Sequence, residues 1–267
     1  MHSLQVYVTM VRAAILSRLQ YRADFLMGIL GVFVLNAASL GTTWVLLQRF
    51  NNLHGWTFWE IVFLYNLWLL GHSFRAILFR QINMLDDYIV QGTFDGFLTR
   101  PASPFIQFIG REVHYLGIGD LILSSTMLGI AYHYLGLSWS PALWAWFILI
   151  VPASTTVEVS IILIMSTISF KTGRSRAIVN AATQFSFGLV QQYPLDMFNR
   201  GVRAIVTFVL PFAFMNYYPS LLLLGKWEKL GGYSWLAYAS PAVALILCII
   251  AFFAWRWGIR HYQSTGS

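Results

Sequence analysis

The stretch YIVQGTFDGFLTRPASPF, residues 88–105, separates two long apolar runs and is rich in residues that start and end helices. Gly92 is suited to a helix C-terminus, where a left-handed residue is needed. Pro101 predicts the end of a second short element, because the residue before a proline avoids helical geometry. Ser103 and Pro104 predict the N-cap and first position of a further helix. The stretch therefore predicts short helices held at a fixed angle between the two apolar runs.

An apolar stripe precedes these turns. Ile82, Leu85 and Ile89 recur at i, i+3 and i+7, which places them on one face of a helix. A second short element, residues 93–98, carries further aromatic and aliphatic side chains. Two interpretations follow from the residues alone: the amphipathic helices receive a soluble partner, or their apolar faces rest on lipid headgroups.

The composition indicates an integral membrane protein. Of the 267 residues, 58% are hydrophobic and only 10% are charged, and the mean hydropathy is +0.64. Soluble domains carry about 25% charged residues. The net charge of +7 is typical of basic residues retained in cytoplasmic loops, so it does not predict a nucleic-acid partner. Cys248 is the one cysteine, which excludes a disulfide framework or a cysteine-based metal site within the chain.

Apolar runs long enough to cross a bilayer predict an all-α fold with six spans in a single domain, residues 1–267. The predicted spans are residues 25–47, 58–79, 106–137, 141–170, 177–193 and 235–257. Residues 1–22 predict an amphipathic helix on the membrane surface, and the alternative is a simple extension of the first span. Residues 80–105 lie between spans two and three.

Residues 204–224 form a further apolar run whose topology is ambiguous. If this run is counted as a seventh span, the number of Lys and Arg residues on the cytoplasmic side stays the same. The positive-inside rule therefore does not distinguish six spans from seven. Pro211, Asn216 and Pro219 interrupt the run. Such a backbone is tolerated where protein or a water-filled cavity satisfies its polar groups. We therefore predict a re-entrant outer hairpin over residues 194–226.

Glu158 is the most informative charge inside a predicted span. Ser154, Thr155 and Glu158 share one helical face, and a carboxylate at the bilayer centre is costly. These three residues are candidates for the lining or gate of a transport path. The alternative is a neutral glutamic acid that fixes helix packing. The six histidines show no metal-ligand spacing, and no nucleophile motif is present, so we predict neither a metal site nor catalysis.

Three motifs resemble permease subunits of bacterial ABC-type 2 exporters, and most closely the group described generically as ABC-2 family transporter proteins. They are GTFDGFLTRPASPF, LPFAFMNYYPSLLLLG and the ending WRWGIRHYQSTGS. The resemblance runs along essentially the whole chain. It implies six spans in the cytoplasmic (inner) membrane, both termini in the cytoplasm, and a second permease subunit that is either a copy or a related chain. It also supports the re-entrant hairpin and implies that residues 1–22 are the family's connecting helix.

The resemblance further implies that residues 80–105 form a coupling helix seated in a groove of a separate ABC ATPase subunit. The coupling role falls on Asp87, Gly92, Phe94, Asp95, Leu98 and Arg100. The chain itself contains no G-x-x-x-x-G-K-[ST] loop for phosphates. ATP and magnesium are therefore expected on the partner subunit, and this chain is expected not to be an enzyme.

The resulting expectation is an ATP-driven exporter that moves a lipophilic or amphipathic compound out of the cytoplasm or inner leaflet. The alternative is a proton-coupled secondary transporter that uses Glu158, although no internal repeat of the kind common in such transporters is visible. A lipid-modifying enzyme would need clustered acid, base or metal groups, which are absent from the sequence. A scaffold would use the same loop for a partner that is not an ATPase.

Overall fold

The structure is a computed structural model that describes residues 22–50, 54–112 and 114–263. These residues form helices and helical turns, with no strand among them. The predicted surface helix, residues 1–22, lies outside the described ranges except for its last residue. Together with the apolar composition, the fold is that of an all-helical multi-pass membrane protein.

Twelve α-helices follow one another along the described residues. They are α1 (Arg22–Phe50), α2 (Phe58–Phe79), α3 (Leu85–Val90), α4 (Asp95–Leu98), α5 (Pro104–Ile109), α6 (Leu116–Tyr134), α7 (Pro141–Ser166), α8 (Ser169–Thr172), α9 (Arg176–Phe185), α10 (Arg200–Ala204), α11 (Tyr217–Leu223) and α12 (Ser240–His261). Two π-helical turns continue α9 and α10, at Ser186–Val190 and Ile205–Val209. Shorter 3-10 turns lie at Arg80–Met84, Leu195–Met197, Phe212–Phe214, Trp227–Leu230 and Ser234–Tyr238.

Four helical stretches of the described residues are long and apolar enough to cross a membrane. They are Leu26–Val45, Phe58–Val90, Pro141–Thr172 and Ser240–His261. A fifth results if the bent pair Arg200–Val209 and Phe212–Leu223 counts as one span. These stretches correspond to the predicted spans one, two, four and six, while the complete six-span topology stays a prediction.

The two remaining predicted spans differ from the helices observed. Residues 106–137 do not form one helix: α5 ends at Ile109, and α6 begins only at Leu116. The polar residues Arg111 and Glu112 occupy the break and are exposed. Residues 177–193 form the ten-residue α9 followed by a π-helical turn, so the regular α-helix is too short to cross a bilayer alone.

Helix α2 occupies the middle of the bundle and packs against α6 and α7, while α1 packs on α6 and α12 on α7. Its residues from Ile61 to Ser73 are all buried, so this part of the helix is surrounded by the rest of the bundle. A Cβ atom on Gly71 would clash with the Ser154 hydroxyl of α7, and the Thr155 hydroxyl donates to the Gly71 carbonyl at 2.8 Å. Glycine therefore permits the close approach of these two helices.

The bent pair starts and finishes at one end of the bundle. Trp56 is fully buried there, and its indole Nε1 donates to the Asp196 carboxylate at 3.0 Å. Lys229, after the pair, donates to the same carboxylate at 2.6 Å. Pro211 lies at the 77° bend, as the sequence predicted, and the Asn216 amide donates to the Val190 carbonyl at 2.9 Å. The predicted break in this apolar run is confirmed, while the re-entrant hairpin and its placement in a membrane stay predictions.

Candidate functional site

The segment between α2 and α6, residues 80–109, folds against the end of the bundle opposite Trp56. We call it the α2–α6 segment. Its apolar stripe of Ile82, Leu85 and Ile89 is buried in one hydrophobic cluster with residues from α7, α9 and α12. The predicted amphipathic stripe is thus present, but its apolar face contacts the protein itself rather than lipid headgroups.

Phe94 is the main contact between the α2–α6 segment and the bundle. Its side chain is fully buried and meets five aromatic rings edge to face, two of which, Phe97 and Phe108, belong to the segment itself. The ring centroids lie 5.1 Å from Phe170, 5.3 Å from Tyr262, 6.0 Å from Trp255 and 6.4 Å from Phe108. Phe94 is therefore not available at the surface for direct contact with an ATPase. The rings of Phe170, Trp255 and Tyr262 are distant in sequence, so the local pattern could not reveal this part of the pocket.

Gly92 ends α3 as the sequence predicted. Its φ of +68° lies in the left-handed region, and its backbone N–H donates to the Ile89 carbonyl at 3.1 Å. The Phe94 N–H then donates to the Tyr88 carbonyl at 3.0 Å. This tight reversal turns the Phe94 ring inward.

Two aspartates tie the α2–α6 segment to the start of α9. The Arg176 backbone N–H donates to Asp86 Oδ2 at 3.0 Å, so Asp86 satisfies an amide at the N-terminus of α9. The Arg176 guanidinium forms an ion pair with Asp87, a predicted coupling residue. Asp87 therefore joins two connections of this chain at the same end of the bundle.

Asp95 lies beside the last described turn of the chain. Burial and the neighbouring Asp95 carboxylate raise the pKa of the Tyr262 hydroxyl to about 12. The Tyr262 hydroxyl therefore keeps its proton to a higher pH than an ordinary tyrosine and stays a potential donor beside Asp95. Asp95 and Phe94 thus both contact the C-terminal end of α12 from successive positions.

The opposite face of the α2–α6 segment is exposed. Val90 is 55% exposed and Leu98 41%, and Arg100 is exposed beside Leu98. A cavity of about 270 Å³ is lined in part by Arg100 and Arg111. The Arg111 guanidinium lies over the Tyr88 ring, 5.2 Å from its centroid. Apolar side chains next to two arginines form a surface suited to a protein partner with apolar and acidic residues.

Glu158 lies in a buried charge cluster inside the bundle. Its side chain is 1% exposed, and its Oε1 lies 2.9 Å from Arg75 Nε and 2.9 Å from His72 Nδ1. Both partners come from α2, whereas Glu158 belongs to α7. The His72 ring stacks on Trp68 with centroids 4.7 Å apart. The cluster therefore holds the two central helices together by charge and by packing.

Arg75 also connects this cluster to the α2–α6 segment. Its Nη1 donates to Asn83 Oδ1 at 3.0 Å, and Asn83 lies in the turn that begins the segment. A continuous chain of polar contacts thus runs from Glu158 through Arg75 to Asn83. A displacement of the turn would change the surroundings of the buried carboxylate directly.

The other two residues predicted on the Glu158 face both contact Gly71 of α2. Ser154 is fully buried against Gly71. Thr155 borders a largely apolar cavity of about 520 Å³ between α7 and α12, whose lining includes neither Ser154 nor Glu158. The structure therefore brings all three residues to the α2–α7 contact, and Thr155 also borders the cavity beside α12.

Sequence reasoning missed His72 and Arg75. An arginine three residues after a histidine within an apolar run is the signal that could have identified them, because intramembrane cations need a partner. Among the described residues, no group of three metal-ligating side chains could hold a metal ion.

Comparison with known proteins identifies one family. A family model described as ABC-2 family transporter protein matches residues 33–266, which is most of the chain. No curated protein and no solved structure gives a significant match.

Proposed function

Because this chain belongs to the ABC-2 family of transporter proteins, we propose that it is the permease subunit of an ATP-driven exporter. Separate nucleotide-binding subunits bind ATP and magnesium and supply the energy. The permease works with a second permease subunit, identical or related, in the bacterial inner membrane. It has six spans, a re-entrant outer hairpin and both termini in the cytoplasm.

The α2–α6 segment carries this proposal. Its inner face contacts α7, α9 and α12 through one aromatic and aliphatic cluster, while its outer face exposes Val90, Leu98 and Arg100. A subunit that pushes on the outer face therefore moves three helices of the bundle together. This is the mechanical arrangement that a protein without its own ATP site needs.

The predicted coupling residues divide into two roles. Leu98 and Arg100, at the exposed surface, contact the ATPase. Gly92, Phe94, Asp87 and Asp95 hold the segment on the bundle, through the turn, the aromatic pocket, the Arg176 ion pair and the Tyr262 contact. The segment transmits force because it is fixed to the helices.

The polar contacts from Asn83 to Glu158 extend the coupling into the membrane. Movement of the turn at Asn83 pulls on Arg75 and thereby on the contact between α2 and α7. Separation of these helices opens a path for the cargo. The cargo is lipophilic or amphipathic, because the bundle interior is rich in aromatic residues and poor in charge.

A direct test uses a photo-crosslinking maleimide on a cysteine that replaces Leu98, in a Cys248→Ser background. Inverted membranes that contain the ATPase should give a crosslinked product with that subunit, and ATP should change its yield. The matched control is Glu228→Cys, which is exposed at the other end of the bundle and should give no such product. Absence of the product at Leu98 would remove the coupling assignment.

The alternative of proton-coupled transport is less well supported by the geometry. A proton carrier must exchange with water from both sides, whereas Glu158 is 1% exposed and has two cationic or polar partners within 3.0 Å. The cluster is better suited to a structural contact that changes during the cycle.

A further inference from the structure

A third cavity lies among the helices of the bundle, away from the α2–α6 segment. It measures about 360 Å³ and is bordered by α1, α2, α6 and the π-helical turn that follows α9. This volume is within the range of about 300–1,000 Å³ typical of small-molecule sites. Unlike the apolar cavity beside α12, it is lined by many polar side chains, including one carboxylate, Asp120.

Asp120 is the acidic group of this cavity. Its Oδ1 accepts a long hydrogen bond of 3.4 Å from the Asn36 amide, and Asn36 Oδ1 accepts a bond of 2.7 Å from the Tyr65 hydroxyl. Within residues 22–50, 54–112 and 114–263, no ion pair includes Asp120. His72 on α2 acts on Asp120 electrostatically, but its ring is hydrogen-bonded to Glu158. A carboxylate inside a predicted span therefore has no ion-pair partner among the described residues.

Three glutamines extend the polar surface opposite Asp120. Gln184, Gln191 and Gln192 border the cavity, and Gln191 is only 3% exposed. In the part of the chain that the structure describes, their side-chain amides form no hydrogen bond. Gln191 is the buried one of the three, whereas Gln192 is half-buried and Gln184 exposed. Because a buried amide is normally paired, the Gln191 amide is available to a bound molecule.

The cavity wall is locally irregular. The π-helical turn Ser186–Val190 places Phe187 and Gly188 along the cavity, and the Trp68 indole holds the turn by donating to the Ser186 hydroxyl at 3.1 Å. Such turns are frequent at functional sites, because they move side chains out of regular helical register. The Phe187 and Tyr65 rings supply apolar and cation-binding surface next to the carboxylate.

We propose that this cavity binds an organic cation with an apolar body. The Asp120 carboxylate neutralises the charge, the glutamine amides accept or donate hydrogen bonds, and the rings of Tyr65 and Phe187 contact the apolar part. This inference rests on the proposed function, since it names the class of cargo that the permease moves. It concerns binding to this chain, so its test does not need the ATPase.

The test measures binding of tetraphenylphosphonium to the purified full chain in nanodiscs. Asp120→Asn keeps the size and the Asn36 contact but removes the charge, and we expect it to weaken binding about tenfold or more. Glu112→Gln is the matched control, because this exposed carboxylate near the start of α6 lies outside the cavity. It should leave the affinity unchanged.

Two results would overturn the proposal. In one, tetraphenylphosphonium does not bind the parent chain; in the other, the Asp120→Asn variant binds it as tightly as the parent chain does. Gln184→Glu provides a second test if Asp120→Asn does not fold. An added carboxylate should raise the affinity for tetraphenylphosphonium and lower that for tetraphenylborate, an anion of similar shape. Unchanged affinities for both ions would contradict the assignment. A failed binding test alongside ATPase crosslinking at Leu98 would reject the cargo class and retain the permease.

Discussion

Single residues decide how this membrane protein accommodates charge. Glu158 and Arg75 are both almost completely buried, and their side chains lie within 2.9 Å of each other. Removing two charges from water is costly, and their attraction offsets the cost only when both partners remain. The cluster with His72 therefore specifies how α2 and α7 align rather than adding a large net stabilisation.

Removal of one partner should destabilise the protein strongly. Glu158→Gln leaves Arg75 buried without a countercharge, and we expect the free energy of unfolding to fall by about 3–5 kcal/mol. Replacing both, as Arg75→Met with Glu158→Leu, should recover most of the loss. Tryptophan fluorescence during unfolding in mixed micelles measures these changes. A Glu158→Gln variant as stable as the parent would show that the carboxylate is already neutral.

A backbone angle makes Gly92 sensitive to substitution. Gly92→Ala places a side chain at φ +68° and should cost about 1–2 kcal/mol, because L-residues are strained in the left-handed region. Gly96→Ala is the matched control: an added Cβ there meets no atom within 4 Å, so stability should change by less than about 0.5 kcal/mol. The same unfolding measurement applies. Equal effects at both glycines would contradict the assigned turn.

At the scale of elements, the α2–α6 segment has two different faces, one packed on the bundle and one exposed. Its inner face shares a cluster with the ends of α7, α9 and α12, and its outer face carries exposed Leu98 and Arg100. The turn at Gly92 and the ion pair between Asp87 and Arg176 fix the segment at one angle. Short helices of this length are not stable alone, so tertiary packing provides their stability.

Substitution on the two faces should have separable effects. Phe94→Ala removes a fully buried ring and should lower the free energy of unfolding by about 3–5 kcal/mol. Leu98→Ala alters a surface side chain and should change stability by less than about 0.5 kcal/mol. Under the proposed function, Leu98→Ala nevertheless reduces the amount of ATPase that co-purifies with the chain. A loss of stability from Leu98→Ala, or an unchanged stability of the Phe94→Ala variant, would contradict the assignment of Leu98 to the exposed face and Phe94 to the buried face.

At the scale of the whole molecule, the described residues gather into two ends. One end contains the α2–α6 segment, the short link before α9 and the last turn of α12. The other contains Trp56, Glu60 and the residues on both sides of the bent pair, with Lys226 Nζ 3.0 Å from Glu60 Oε2. The bent pair thus leaves and returns to the same end, as expected of a re-entrant hairpin.

This arrangement predicts which residues face the same side of the membrane. In a Cys248→Ser background, cysteines that replace Thr99 and Arg174 should react with a membrane-impermeant maleimide only in inverted vesicles. A cysteine that replaces Glu228 should react only in intact cells. All three positions are exposed in the structure. Reaction of Glu228→Cys from the same side as Thr99→Cys would instead indicate that the bent pair crosses the membrane.

Composition and local pattern determined the class of this protein and the outline of its connections. The apolar content predicted a membrane protein, and the helix-ending residues predicted the turn at Gly92 and the bend at Pro211, both of which the structure confirms. These features depend on residues close together in the chain, so a local pattern is sufficient. The family resemblance is confirmed by the match over residues 33–266.

Tertiary structure alone decided the partners of the functional side chains. It placed Arg75 and His72 beside Glu158, enclosed Phe94 among rings from α8 and α12, and gathered Asp120 with glutamines that follow some 60 residues later. A helix that is buried on all sides has no exposed polar face from which its neighbours could be predicted. Which side chains meet therefore depends on how the helices pack, and that depends on shape and charge along the entire bundle.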